Sequence, residues 1–145
     1  MRAMTSDEFK TLLSARLREG DSRRVVSAYL FGSVAEGRSH RESDVDVGVL
    51  LDRARYPTSR DRFEQRLMLS SRLATELGGR EVDLVILNDA PPQLARSIVT
   101  RGRRFFCAAP EADHAFVRDV QLRAADVEPF LLRMRRTKLE RLSHP

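Results

Sequence analysis

The sequence predicts an α/β fold in which strands and helices alternate. Three short runs rich in β-branched and aromatic residues are separated by longer segments whose apolar residues recur at helical spacing. The chain has 145 residues, of which 41% are apolar and 32% charged, an ordinary balance for one globular domain with its own core. Interleaved helices and strands of this kind are typical of a single α/β domain.

The first part of the chain predicts a capped helix and two strands. Thr5 and Glu8 have the spacing of a capping box, and apolar residues follow them at helical intervals. Val25–Phe31 reads as a buried strand because it is β-branched and aromatic throughout. A turn with a short helix over residues 34–36 follows, and residues 43–51 predict the second strand.

A long amphipathic helix and a third strand come next. Residues 59–77 have the pattern of a helix, and residues 81–87 read as a strand. The helix is expected to carry its apolar residues on one stripe, which consists of Phe63, Leu67, Ala74 and Leu77.

The last third of the chain predicts two helices with a short strand between them. A Pro-Pro pair begins a helix in which Leu94 and Ile98 face inward. Residues 103–106 predict a short edge strand. Residues 111–142 then have a helical pattern, which we expect to break or kink near Pro129.

Composition narrows the class of protein. No apolar run approaches the roughly 20 residues that a membrane helix needs, and the N-terminus has acids where a signal peptide would be apolar. The one cysteine, Cys107, is expected to be a partly buried free thiol in a reducing cytoplasm. The net charge of +5 comes almost entirely from arginine. Without aromatics interleaved with a basic run, it predicts no direct nucleic-acid binding.

The most informative pattern is a Gly-Ser turn followed by ten residues and a pair of aspartates. Gly32 and Ser33 follow the first strand, and Asp44 and Asp46 begin the second. Because side chains alternate along a strand, the two carboxylates share one face, roughly 6–7 Å apart. Their mutual repulsion would be relieved by a divalent cation, and oxygen ligands near phosphate favour Mg²⁺ or Mn²⁺ over zinc.

Asp83 lies inside the third strand. Val82, Leu84 and Ile86 form one face of that strand and Asp83 lies on the other, where a charge among apolar neighbours needs a partner. If the second and third strands are neighbours, Asp83 joins Asp44 and Asp46 in a cluster of three carboxylates. Two metal ions in such a cluster could clamp the attacking and leaving oxygens of an in-line displacement.

The Gly-Ser turn suits a phosphate. Glycine allows close approach of the backbone, and the free N–H groups of a helix start together with the Ser33 hydroxyl can bind a β- or γ-phosphate. Each of these features has a plainer interpretation, such as a simple turn, a loop cap or an ion pair with arginine. Their combination favours a site for nucleotidyl transfer.

These motifs resemble the DNA polymerase β nucleotidyltransferase superfamily, and more closely its minimal nucleotidyltransferase (MNT) branch. GSVAEG is similar to the G-S-x-A-x-G of that branch, SDVDVGVL to its S-D-x-D strand, and VDLVILN to its third-aspartate strand. The resemblance implies a nucleotidyltransferase fold, with a small mixed β-sheet flanked by helices and a helical C-terminal tail. One domain would span residues 1–145, with a catalytic core over about 22–107 and a helical segment over about 110–142.

The resemblance also implies a role for each motif residue. Gly32 and Ser33 would bind the triphosphate of ATP. Asp44 and Asp46 would bind two Mg²⁺ ions, and Asp83 would bind the catalytic ion and help to activate an acceptor hydroxyl. That hydroxyl would attack the α-phosphate and release pyrophosphate, so catalysis would consist mainly of positioning and charge neutralisation.

The chain departs from the family pattern at Glu36, where many relatives carry a basic residue. An acid is unhelpful near a triphosphate, which places phosphate contact at this position in question. Arg38 or Arg41 could compensate, although both also fit ordinary solvated loop charges.

Short members of the MNT branch resemble the antitoxins of HEPN/MNT toxin–antitoxin modules. The resemblance implies a type VII-like antitoxin in the cytoplasm that transfers AMP onto a tyrosine of a partner HEPN ribonuclease toxin, with which it would form a hetero-oligomer. Two alternatives remain open: a nucleotidyltransferase for small molecules such as aminoglycosides, and a non-catalytic antitoxin that neutralises by contact alone.

The C-terminal tail combines basic and apolar residues. Its basic residues are Arg133, Arg135, Arg136, Lys138 and Arg141, and its apolar residues are Phe130, Leu131, Leu132, Leu139 and Leu142. One interpretation is a helix that docks on an acidic or apolar partner. The other is an amphipathic helix whose leucines pack on its own sheet while its charges are solvated.

Overall fold

Four strands and five α-helices form the described part of the protein. The structure is a computed structural model that describes residues 4–19, 24–37 and 44–143. In chain order the elements are α1 (Ser6–Arg18), β1 (Val25–Phe31), α2 (Gly32–Ala35), β2 (Val45–Leu51), α3 (Ser59–Glu76), β3 (Val82–Ile86), a 3₁₀ turn (Leu87–Asp89), α4 (Pro92–Arg101), β4 (Arg103–Cys107) and α5 (Pro110–Ser143).

The strands form one mixed sheet in the order β3-β2-β1-β4. β1 is antiparallel to both β2 and β4, whereas β2 and β3 are parallel because α3 connects them as a crossover. The α/β class and the small mixed sheet are therefore confirmed. β4 lies at one edge as expected, and β3 lies at the other.

Each face of the sheet is covered by a different pair of helices. On one face, Val47 and Leu84 of the sheet pack with Phe9 of α1 and Leu73 of α3, all fully or almost fully buried. On the other face, α4 and α5 cover a smaller cluster around Tyr29, Leu50 and Ile98. Burial of these apolar side chains, at about 25 cal/mol per Å², is the main force that holds the helices on the sheet.

Local sequence signals place most of the element boundaries. Thr5 caps α1 by accepting a hydrogen bond from the Glu8 N–H at 3.2 Å, as the capping-box spacing predicts. β1 has the predicted bounds, and β2 begins at Val45. The short helix begins at Gly32, two residues before its predicted start, so the Gly-Ser pair belongs to the helix itself.

The predicted inward faces of α3 and α4 are partly wrong. Phe63 and Leu67 are 52% and 57% exposed, and the residues of α3 that are buried are Arg62 and Leu73. On α4, Ala95 and Ile98 are buried while Leu94 is 40% exposed. The first half of the predicted α3 stripe therefore does not face the core; Arg62 lies there instead and pairs with the partly exposed Asp89.

α5 is one continuous helix of 34 residues that runs through Pro129. The predicted break is absent from it because Pro129 is exposed, so the carbonyl that loses its partner can bind water. Beyond Glu128 the helix leaves the domain. Its large apolar residues Phe130, Leu132, Met134, Leu139 and Leu142 are 55–74% exposed.

The exposure of this distal part of α5 contradicts the interpretation in which the tail leucines pack on the sheet. Leu139 and Leu142, at 66% and 74%, are the most exposed of the large apolar residues there.

Among the described residues, no helix is both long and apolar enough to cross a membrane.

Candidate active site

The aspartates of the second and third strands meet at one end of the sheet. Asp46 and Asp83 are direct register partners of the parallel pair β2–β3, so their side chains lie side by side on the same face. Asp44 immediately precedes β2 and, two residues from Asp46, belongs to the same face. The condition on which Asp83 was expected to join the other two aspartates is therefore met.

The three carboxylates differ in exposure. Asp46 is half-buried, whereas Asp44 and Asp83 are exposed. Asp83 therefore has access to water. The strand pattern suggested that Asp83 would need a partner because it is buried, and this reason does not apply. Within residues 4–19, 24–37 and 44–143, no three acidic, histidine or cysteine side chains already converge as a formed metal cluster.

The electrostatic state of Asp46 shows that the carboxylates nevertheless act on one another. Burial raises the pKa of the Asp46 carboxyl above its usual range, and the negative charges of Asp83 and Asp44 raise it further. All three causes disfavour the ionised form. A site that gathers negative charge in this way gains stability when a cation binds.

Gly32 lies directly against the Asp46 carboxylate. Its φ is +73°, a left-handed conformation that other residues adopt only with strain, and a Cβ at this position would collide with Asp46 Oδ2. Phe31 is the register partner of Asp46, so β1 delivers the Gly-Ser turn to the carboxylates. Ser33 follows as the second residue of α2 and is half-buried.

Glu36 ends α2 and is exposed, and its backbone N–H bonds to the Gly32 carbonyl at 3.2 Å. Arg38 and Arg41, the two residues considered as its compensation, lie outside the described part of the chain. Both interpretations of these arginines, contact with phosphate and solvated loop charge, therefore stay open.

Next to Asp46, the same face of β2 has no side chain at Gly48, where α4 packs on it. Gly48 continues the aspartate face, and a Cβ there would come within 2.9 Å of Ile98 Cγ2 and 3.3 Å of Leu87 Cδ2. Glycine thus lets α4 pack closely on β2. This contact fixes the strand that carries Asp46.

The donor set fits a hard divalent cation. It consists of carboxylate oxygens, which Mg²⁺ and Mn²⁺ prefer, and the raised pKa of Asp46 reports negative charge that a cation would neutralise. The backbone of Gly32 lies directly against the Asp46 carboxylate, so the Gly-Ser turn and the carboxylates adjoin each other. The arrangement is able to hold metal between a phosphate and an attacking oxygen.

Sequence reasoning missed the residues that hold the site's supporting elements together. Arg62 is buried and donates to both carboxylate oxygens of Asp89, from Nε at 2.9 Å and from Nη2 at 2.8 Å, while Nη1 donates to the Tyr56 carbonyl at 2.9 Å. Asn88 makes a second connection: its amide bonds both backbone groups of Leu51, at 2.9 and 3.0 Å.

These contacts fasten α3 and the end of β2 to the 3₁₀ turn. A signal for Arg62 does exist in the sequence, because it shares a helical stripe with Leu69 and Leu73. Patterns that treat arginine as an outward residue overlook it.

Comparison with known proteins agrees with this geometry. The chain is 36% identical over 80 residues to the protein adenylyltransferase MntA of Shewanella oneidensis, and this match covers 54% of the chain. It spans 51%, about half, of that curated relative.

Two solved structures have the same architecture. A crystal structure of a toxin–antitoxin with AMP-PNP has a TM-score of 0.64 and 27% identity, covering 86% of this chain and 97% of that chain. A complex of a tri-AMPylated Shewanella oneidensis HEPN toxin with an MNT antitoxin shares the fold, with a TM-score of 0.60 and 23% identity over 90% of this chain and 98% of that chain.

The family match covers the sheet and the site together. Residues 18–111 match the family described as polymerase beta nucleotidyltransferase. This range includes all four strands, the Gly-Ser turn and the three aspartates. The chain belongs to the polymerase β nucleotidyltransferase family.

Proposed function

We propose that this protein is an Mg²⁺-dependent adenylyltransferase that acts as an antitoxin. It transfers AMP from ATP to a tyrosine hydroxyl of a partner HEPN ribonuclease toxin in the cytoplasm and so neutralises that toxin. The main support is the direct register of Asp46 with Asp83 on neighbouring parallel strands, next to the turn that begins at Gly32.

Each site residue has a role in this proposal. Gly32 and Ser33 contact the triphosphate, and the absence of a side chain at Gly32 lets the backbone of the turn lie directly against the Asp46 carboxylate. Asp44 and Asp46 would hold two divalent ions. Asp83 would hold the catalytic ion and help to activate the acceptor hydroxyl, whose oxygen would lose its proton and bond to the α-phosphorus as the bond to pyrophosphate breaks.

The bound ions would neutralise the charge on the phosphates and lower the pKa of the attacking hydroxyl. The contribution of the chain is positioning. It keeps the carboxylates at one end of the sheet, with α4 packed next to them on the same face of β2, against Gly48.

The choice of acceptor depends on the similar proteins. The curated relative is a protein adenylyltransferase, and a 27% identical solved structure is that of a toxin–antitoxin with AMP-PNP, an analogue of ATP. Both point to ATP as donor and a protein as acceptor. The proposal extends these properties to this chain on the basis of its carboxylate geometry.

The proposal is tested by intact-mass measurement of the cognate HEPN-type toxin after incubation with purified protein, ATP and Mg²⁺. We expect the toxin to gain one or more AMP units, and tyrosine to be the modified residue in peptide maps. Asp46→Asn should reduce the rate by about 10²-fold or more, because it removes a group that holds charge in the transition state. EDTA should abolish transfer and Mg²⁺ should restore it.

Two controls separate loss of chemistry from loss of folding. Asp126→Asn changes an exposed aspartate on α5 and should leave the rate unchanged. Asp46→Asn itself should melt no lower than the wild type without metal, since it removes a carboxylate that burial and two neighbouring charges disfavour.

Two other results would contradict the proposal. If labelled AMP passes to an aminoglycoside or another small hydroxyl compound and never to the toxin, the protein is a small-molecule nucleotidyltransferase. If Asp46→Asn neutralises the toxin fully in cells at normal expression, contact alone suffices and transfer is not the mechanism.

A further inference from the structure

The sheet is open at β3. β3 is the last strand in the order β3-β2-β1-β4, and the Val45 N–H donates to the Glu81 carbonyl at 3.1 Å. In a parallel ladder, alternate residues point their backbone groups to opposite sides, so those of Val82, Leu84 and Ile86 point away from β2. No strand of the described chain pairs with this side, and an edge of this kind is a template for another polypeptide.

Apolar side chains stand on both sides of this edge. Leu84, Val85 and Ile86 form the floor of a groove whose walls come from α3 and from the segment that begins α4. Phe63 on one wall is 52% exposed, and Leu94 on the other is 40% exposed. The groove has a volume of about 290 Å³, which admits one or two side chains rather than a folded element.

The groove continues toward the carboxylates. A second depression along the same strand is lined by Leu67, Ser70, Ala74 and Asp83, with Asp44 beside them. Leu67 of α3 therefore lies beside the carboxylates, together with smaller residues, whereas Phe63 lines the groove farther along the strand. From Ile86 to Asp83 the path is roughly 10 Å long, at about 3.3 Å per residue.

We propose that the acceptor protein binds this edge as an added β-strand, with its apolar side chains against Phe63, Leu67 and Leu94 and its reactive hydroxyl at Asp83. This inference depends on the proposed function, since it names the surface that presents the acceptor to the same site. Backbone hydrogen bonds would supply affinity, and the apolar walls would add to it while selecting which side chains the segment carries.

The same features disfavour other occupants. A small-molecule acceptor has no use for a row of backbone donors and acceptors, or for apolar walls that extend away from the carboxylates. A second copy of this chain paired along β3 would cover the approach to Asp83 and block the reaction. The extended segment of a partner protein fits both the edge and its continuity with the site.

The experiment compares aspartate substitutions on the groove with a matched substitution elsewhere. The groove variants are Phe63→Asp, Leu67→Asp and Leu94→Asp, and the matched variant is Leu122→Asp on the first half of α5. All four parent residues are 40–63% exposed, so each variant is expected to fold, which circular dichroism and thermal melting verify.

Transfer kinetics give the first measurement. For each groove variant, the KM for the cognate HEPN-type toxin should rise by about 10-fold or more, as expected on truncation of an interface anchor. The KM for ATP and the kcat at saturating toxin should stay at wild-type values. The Leu122→Asp variant should match the wild type throughout.

Calorimetric titration of the toxin gives the second measurement, in an Asp46→Asn background that removes transfer. Groove substitutions should weaken this binding by the same factor. Because binding is measured without chemistry, a wild-type protein that binds toxin and transfers no AMP would defeat the proposed function, while the groove is still judged by its own variants.

Four outcomes overturn the inference. The groove variants could bind toxin as tightly as the wild type, or no binding to the toxin could be found at all. The KM for ATP could rise with that for the toxin, which would assign the groove to the nucleotide. A homodimer that Phe63→Asp dissociates would show a second copy on the edge.

Discussion

At the residue scale, the site contains two features that do not favour folding of the metal-free chain. Asp46 occupies a half-buried position where burial and two carboxylates raise its pKa, and Gly32 adopts a left-handed conformation against it. Neither feature helps the metal-free chain to fold. The proposed function accounts for both, because a bound cation would remove the repulsion and glycine lets the proposed phosphate-binding turn lie against the carboxylate.

A second buried group on the sheet gives a pH-dependent prediction. The Tyr29 hydroxyl donates to Asp113 Oδ1 at 2.8 Å, and Arg104 donates to the other oxygen of this buried carboxylate at 2.8 Å. Burial, and then the bond to Asp113, raise the pKa of Tyr29 above its ordinary value of about 10. Above that pH the unfolded chain loses the tyrosine proton while the folded chain keeps it.

The folding free energy that depends on Tyr29 is therefore complete below pH 10 and falls as the pH rises further. The loss should reach about 1.4 kcal/mol per pH unit. Urea unfolding of the wild type and Tyr29→Phe from pH 7.5 to 11 measures it. Tyr29→Phe should be less stable by about 1–2 kcal/mol at pH 7.5 but should lose less stability above pH 10. Equal alkaline slopes would contradict this assignment.

At the element scale, α3 shows how a helix with two apolar stripes is oriented. One stripe contains Phe63 and Leu67, and the other contains Leu69 and Leu73. Spacing alone favours the first, which also has the larger side chains. The second stripe faces the core because Arg62 lies on it and pairs with Asp89 of the 3₁₀ turn. The first stripe flanks the edge of β3.

The Arg62–Asp89 pair should therefore stabilise α3 on the sheet. We expect Asp89→Ala to lower the free energy of unfolding by about 2–3 kcal/mol, since Arg62 would stay buried without its carboxylate. This is below the range for fully buried pairs because Asp89 is 38% exposed. Urea denaturation measures the change.

Glu64→Ala provides the comparison, because it removes an exposed pair with Arg60 at 3.8 Å and should cost less than about 0.5 kcal/mol. If the two substitutions had the same effect, the Arg62–Asp89 pair would be no more than a surface contact.

At the scale of the whole molecule, the two halves of α5 contribute differently to the stability of the fold. Its first half packs on α4 and β1 and contains Val120 and Ala124, both fully buried, and Glu128 pairs with Arg96 of α4 at 3.3 Å. Truncation after Glu128 should change the free energy of unfolding by less than about 0.5 kcal/mol, because the residues removed are almost all exposed.

Ala124→Asp in the full chain should instead cost about 2 kcal/mol or more, since it buries a charge in the interface of α5 with the sheet. Denaturant midpoints at constant slope measure both changes. A large loss on truncation would show that the distal half of α5 supports the fold.

The sequence by itself determined the strands, the Gly-Ser turn and the pair of aspartates on one face, because these follow from periodicity and from the chemistry of a few neighbouring residues. It could not decide that β2 and β3 are neighbours in register, which brings Asp83 beside Asp46. Nor could it decide which stripe of α3 is buried, or that Pro129 is tolerated within α5. Tertiary structure decided these points, because each depends on contacts between residues far apart in the chain.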